Sequence, residues 1–65
     1  MNGLGVLSMK IGSLVKIISV FSKEDERYIG TVGIIRCRPV AIVGIWGVYT
    51  GNRTLYLLGD RLEVI

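Results

Sequence analysis

Of the side chains that carry chemistry in proteins, this chain of 65 residues holds few: no histidine, a single cysteine at Cys37, and five carboxylates at Glu24, Asp25, Glu26, Asp60 and Glu63. Ser–His and Cys–His nucleophile pairs need an imidazole to take the proton, so neither can be assembled from one chain. One cysteine supplies neither an internal disulfide nor a multi-cysteine zinc site. Asp60 and Glu63 have the carboxyl chemistry of a general acid–base pair, but no nucleophile or cofactor motif accompanies them. Glu24-Asp25-Glu26 lacks the turn glycine and ligand spacing of a calcium loop, and the flanking Lys23 and Arg27 partly neutralise it. The sequence therefore predicts a protein that is not an enzyme, with no cofactor, no metal and no small-molecule substrate. Only a site shared across an oligomer's symmetry axis would escape that reasoning.

Binding chemistry is better represented. Arg36 and Arg38 are two apart, so a strand running through Cys37 would point both to one side, where they could clamp phosphates or carboxylates. The plainer reading makes them solubilising charges around a hairpin. Arg53 and Arg61 belong to other parts of the surface. Trp46 has the area of a binding anchor and equally that of a core filler, while Tyr49 and Tyr56 are candidates for exposed aromatic contacts. Cys37, between two arginines, has the setting of a reactive thiol, against the commoner role of a small apolar filler.

The elements that must position these residues follow from pattern. The composition is 51% hydrophobic and 20% charged, with mean hydropathy +0.58, far from the signature of disorder. A chain this short has few interior positions, so that much apolar material leaves some Ile, Val and Leu outside for a partner or a second copy to cover. Leu14 to Val20 is rich in β-branched residues and reads as a strand, with Val15 and Ile17 inward around an exposed Lys16. Phe21 to Tyr28 contains five consecutive charges and reads as an exposed loop. Ile29 to Arg36 is a strand bent at Gly30 or Gly33, and Pro39 marks a hairpin turn or an edge. The third strand, Ala41 to Tyr49, is apolar on both faces: Ile42, Trp46 and Val48 on one, Val43, Ile45 and Tyr49 on the other. Thr50 to Arg53 is a tight turn, Thr54 to Leu58 a fourth strand, Gly59 to Arg61 a 3₁₀ turn and Leu62 to Ile65 a closing strand. This order predicts an all-β domain over residues 9–65, a five-stranded barrel with a short 3₁₀ turn before the last strand. Residues 1–8 would be an extension, either a flexible arm or an extra edge strand.

Certain motifs resemble known families. Gly12-Ser13-Leu14-Val15-Lys16-Ile17 followed by Gly30-Thr31-Val32-Gly33-Ile34-Ile35 resembles the KOW pattern of ribosomal proteins and transcription elongation factors. Trp46-Gly47-Val48 and Leu57 through Glu63 resemble small cyanobacterial SH3-like proteins that bind other proteins, including a histidine-kinase regulator. Both resemblances imply an SH3-like barrel. Signalling SH3 domains are similar at Trp46 and at Tyr56 to Leu62, and Glu24-Asp25-Glu26 resembles their acidic loop. Yet Leu58 and Arg61 stand where those domains carry the proline and tyrosine of the peptide-gripping ridge.

The function expected is thus a non-enzymatic interaction module that binds protein, as a homo-oligomer or as an accessory subunit of a larger assembly. The KOW resemblance implies an alternative, nucleic-acid binding with Lys16, Arg36, Arg38, Arg53 and Arg61 on phosphates and Tyr49 or Tyr56 on bases. The net charge of +3 with pI near 9.4 permits either. No membrane partner is expected, since the uncharged stretch Pro39 to Asn52 is shorter than the ~18–20 residues of a spanning helix. With one cysteine and no basic side chain ahead of the apolar residues of Met1 to Met9, a cytoplasmic location is expected.

Overall fold

The period-2 pattern around Lys16 places Val15 and Ile17 on one side of strand β1 (Leu14–Ile17), and both are completely buried. The computed structural model, which describes residues 9–65, repeats that alternation in four further strands. These are β2 (Val32–Cys37), β3 (Ile45–Tyr49), β4 (Thr54–Leu58) and β5 (Leu62–Val64), with a 3₁₀ turn at Gly59–Arg61 between β4 and β5. The extension expected at residues 1–8 lies outside the described residues. All ladders are antiparallel, in the order β4-β3-β2-β1-β5. Among the described residues no ladder joins β4 to β5, so the sheet is open in its hydrogen bonding.

One core lies against the inner face. Val15 and Ile17 of β1, Ile35 of β2, Trp46 and Val48 of β3, Leu55 and Leu57 of β4 and Leu62 of β5 form a single buried cluster with Tyr28. Met9, Val20 and Val64 pack at its margin. The inward positions are thus those at which the sequence alternates toward apolar residues, and strand contributions from both ends of the sheet meet over the same cluster.

Strand β1 stops at Ile17 rather than Val20 and β5 at Val64 rather than Ile65, and three further elements differ from expectation. The charged segment is a 3₁₀ helix, Lys23–Tyr28, rather than a plain loop. Ser22 caps it by accepting the Glu24 N–H at 3.1 Å, and the acidic residues Glu24, Asp25 and Glu26 occupy its first turn, where the free N–H groups favour negative charge. Its last residue, Tyr28, is buried, with the hydroxyl accepting from Asn52 Nδ2 at 3.2 Å and ending against the β3–β4 turn. Strand β2 begins at Val32, because Gly30 at φ +90° still belongs to the turn that leaves the helix. Strand β3 begins at Ile45 rather than Ala41, since Gly44 at φ +86° breaks extended backbone. Ile42 and Val43 therefore lie in a loop and not on two faces of a strand.

The Thr50–Arg53 turn closes as expected. Thr50 N–H donates to the Arg53 carbonyl at 3.0 Å, and Thr50 Oγ1 accepts from both Asn52 N–H (3.3 Å) and Arg53 N–H (3.1 Å).

Close approach decides one glycine. Gly33 faces inward opposite Val15, and a Cβ there would stand 2.6 Å from Val48 Cγ1 and 2.7 Å from the Tyr49 carbonyl oxygen. The second contact is backbone, so relief requires β2 and β3 to separate. Gly33→Ala is expected to destabilise the fold by ~1–3 kcal/mol through overpacking, read as a lower midpoint in chemical denaturation. Gly12→Ala, with open space around its Cβ position, carries only the strain of its φ of +98°.

Candidate functional site

The face of the sheet turned away from the core is also apolar. Leu14 pairs with Ile34, Ile34 with Tyr49 and Tyr49 with Thr54, so one cross-strand row crosses β1, β2, β3 and β4. The Ile65 N–H donates to the Leu14 carbonyl at 3.1 Å and continues the row past the end of β5. Leu14, Ile34 and Ile65 are exposed, and Tyr49 is half-buried. Beside them Val32 pairs with Lys16 and Lys16 with Glu63, a neighbouring row that carries one cation and one anion. The alternation that fills the core leaves these residues no other direction to point.

A bulge shapes the upper part of this face. Register runs Ile34 to Tyr49 and Ile35 to Val48, then jumps to Cys37 opposite Gly47, so Arg36 is the extra residue. Arg36 and Arg38 consequently part company, contrary to the expectation of a shared side. The Arg36 guanidinium lies 4.3 Å from the Tyr49 ring, whereas that of Arg38 lies 4.6 Å from the ring of Trp46. Tyr49 and Trp46, an odd number of residues apart on β3, point to opposite faces. Each stack holds its arginine in one orientation and contributes ~0.5–1 kcal/mol at an exposed site.

The remaining candidates separate further. Trp46 is buried and fills the core, so it presents no anchor to a partner. Tyr56 is exposed on the outer face of β4, opposite Gly47. Gly47 is small by necessity: a Cβ there would overlap Cys37 Sγ and lie 3.2 Å from Tyr56 Cε1. Cys37 is a half-buried free thiol tucked against that glycine. Arg53 reaches Asp25 Oδ1 at 3.4 Å across the turn, and Asp25 is far less exposed than a free loop carboxylate would be. Arg61 belongs to the scaffold, its Nη1 donating to Ser19 Oγ at 3.0 Å and to the Val20 carbonyl at 3.2 Å, with the guanidinium 4.2 Å from the Phe21 ring. Its carbonyl also accepts the Ile18 N–H at 2.8 Å.

Of the sequence candidates, Arg36, Tyr49 and Tyr56 share the outer face, while Arg38, Trp46, Arg53 and Arg61 do not. Sequence reasoning missed Leu14, Val32, Ile34 and Ile65 as surface residues, although counting outward from Val15 and Ile17 gives Leu14 directly. No three His, Cys, Asp or Glu side chains converge among the described residues.

The two outlying arginines are expected to differ in energy. Arg61→Ala removes part-buried hydrogen bonds to the segment after β1 and is expected to cost ~1–3 kcal/mol in thermal or chemical unfolding. Arg53→Ala removes an exposed ion pair and is expected to cost less than ~1 kcal/mol. Compared with protein-family models, with curated proteins and with solved structures, the chain matches none.

Proposed function

We propose that the chain is an SH3-like small barrel acting as a non-enzymatic protein-interaction module, and that it binds a second copy of itself through the outer face of the sheet. The observation that carries this reading is the row Ile65–Leu14–Ile34, exposed on the outer face and continued by the half-buried Tyr49. Contiguous exposed apolar surface on a small domain marks an interaction site. The barrel reading is supported by the order of elements, by β1 pairing with both β2 and β5, by the 3₁₀ turn ahead of β5, and by a core to which β4 and β5 both contribute. Hydrogen bonding alone gives an open sheet.

Self-pairing is favoured by charge. Lys16 and Glu63 lie side by side on the face, so a two-fold arrangement can set each against its opposite on the other copy. Sheets stacked face to face in this way lie about 10 Å apart with interdigitated side chains. The nucleic-acid alternative draws less support. It needs a basic track along one side, but Arg38 stands away from Arg36, Arg53 faces Asp25, and Arg61 is committed to Ser19 and Val20.

Sedimentation velocity over a wide concentration range tests the reading. The expected outcome is a mass above that of one chain that falls on dilution, and Ile34→Lys is expected to leave a folded monomer, since a lone lysine in the row cannot be covered. A protein that stays strictly monomeric at every concentration overturns the self-association.

A further inference from the structure

The β4 edge of the sheet is bare. Bonds at either end of the β3–β4 ladder fix which way its backbone groups point: Thr50 N–H donates to the Arg53 carbonyl, and Gly59 N–H donates to the Gly44 carbonyl. Between those bonds Val48 stands opposite Leu55 and Trp46 opposite Leu57. Bonded pairs alternate in an antiparallel ladder, so Leu55 and Leu57 turn their backbone groups to β3, while Thr54, Tyr56 and Leu58 turn theirs outward. Among the described residues no ladder or turn takes up the N–H or carbonyl of Thr54 and Tyr56, or the Leu58 N–H.

Nothing guards this edge. Thr54-Leu55-Tyr56-Leu57-Leu58 carries no charge and no proline, and its register with β3 runs without a bulge. The Tyr56 ring lies over Gly47 of β3, 3.2 Å from where a Cβ there would stand, and so leans away from the edge. The opposite edge, β5, differs on each count: it is Leu62–Val64 only, it carries Glu63, and its Leu62 N–H already donates to the Gly59 carbonyl.

We propose that β4 pairs antiparallel with β4 of another copy about a two-fold axis at Tyr56, joining the pairs made through the outer face. The inference rests on that face pairing, which uses side chains of the outer face and leaves the β4 edge of each copy free. Centring on Tyr56 lets its N–H and carbonyl exchange bonds with those of the other Tyr56, and sets each Leu58 N–H against the other copy's Thr54 carbonyl. The same register places Arg53 opposite the other copy's Gly59 and next to its Asp60. These are the charges that flank the uncharged strand, so unlike charges meet at both ends of the pairing. A parallel arrangement would set Arg53 beside Arg53, and β5 would offer a shorter run of free groups. A strand of this length covers far less than the ~800 Å² per partner of a stable interface. Edge pairing therefore joins copies that are already held in pairs, where each contact raises the effective concentration of the next.

Light scattering at rising concentration tests the proposal with the full chain. The mass is expected to pass from that of two chains to a larger one. Tyr56→Pro removes the central N–H at a position where an edge strand tolerates proline, and is expected to hold the assembly at two chains by weakening the second step ~10-fold or more. Asp60→Arg, at an exposed residue, is expected to weaken the same step several-fold, and added salt to restore part of it. In a mixture of isotope-labelled and unlabelled chains, an Hα–Hα NOE is expected between Leu55 of one copy and Leu57 of the other, whose Cα atoms would face at ~4.5 Å. A chain that stops at two copies at every concentration overturns the edge pairing and leaves the face reading standing, whereas a strict monomer overturns both. A larger assembly that Tyr56→Pro leaves unchanged overturns the edge pairing, as do contacts from Leu55 to residues 1–8 or to Val64 in place of Leu57.

Discussion

A sheet has two faces, and a chain of this size can build a core against only one of them. Val15, Ile17, Ile35, Val48 and Leu57, all fully buried, take up the inner face of β1 to β4, and Leu62 adds that of β5. Each sits between residues that must point the other way. Had those been charged throughout, the molecule would be an ordinary solvated sheet. Instead Leu14, Val32, Ile34 and Tyr49 leave an apolar surface whose exposure is a standing free-energy cost of roughly 25 cal/mol for each Å² that a partner could cover. The core and the candidate interface are therefore two consequences of one alternation, and a shift of register by one residue would exchange them.

The bulge at Arg36 sets the second level of organisation. By inserting one residue opposite the Val48–Gly47 step, it turns Arg36 toward Tyr49 and Arg38 toward Trp46. It also brings Cys37 over Gly47, where only glycine leaves room for the sulfur and for Tyr56. Beyond the bulge the chain leaves the sheet and carries Val40, Ile42 and Val43 into solvent before Gly44 returns it to β3. Tyr28 and Arg61 fasten the long β1–β2 connection, one through Asn52 and the core, the other through Ser19 and Val20.

Much of the sheet was legible in the sequence because turn chemistry and period-2 alternation agree over Leu14–Ile17, Thr54–Leu58 and the Gly59–Arg61 turn. Two failures have physical causes. The run of charges after β1 hides a helix start: Ser22 and the three acidic residues that follow it complement free N–H groups, a signal masked by their polarity. The start of β3 was misplaced because Ala41-Ile42-Val43 has strand composition, while the positive φ at Gly44 that ends the loop leaves no trace in hydropathy. The site was less legible than the fold. A one-residue bulge reverses the relation of Arg36 to Arg38, and no spacing rule foresees it.

Dilution followed by two-dimensional amide NMR tests the central claim most directly, since it reads the interface residue by residue. Coverage of the outer face by a second copy predicts concentration-dependent shifts that concentrate at Leu14, Val32, Ile34, Tyr49 and Tyr56 and leave the Lys23–Tyr28 helix unmoved. Spectra that are unchanged across the concentration range, or shifts confined to that helix, would contradict it.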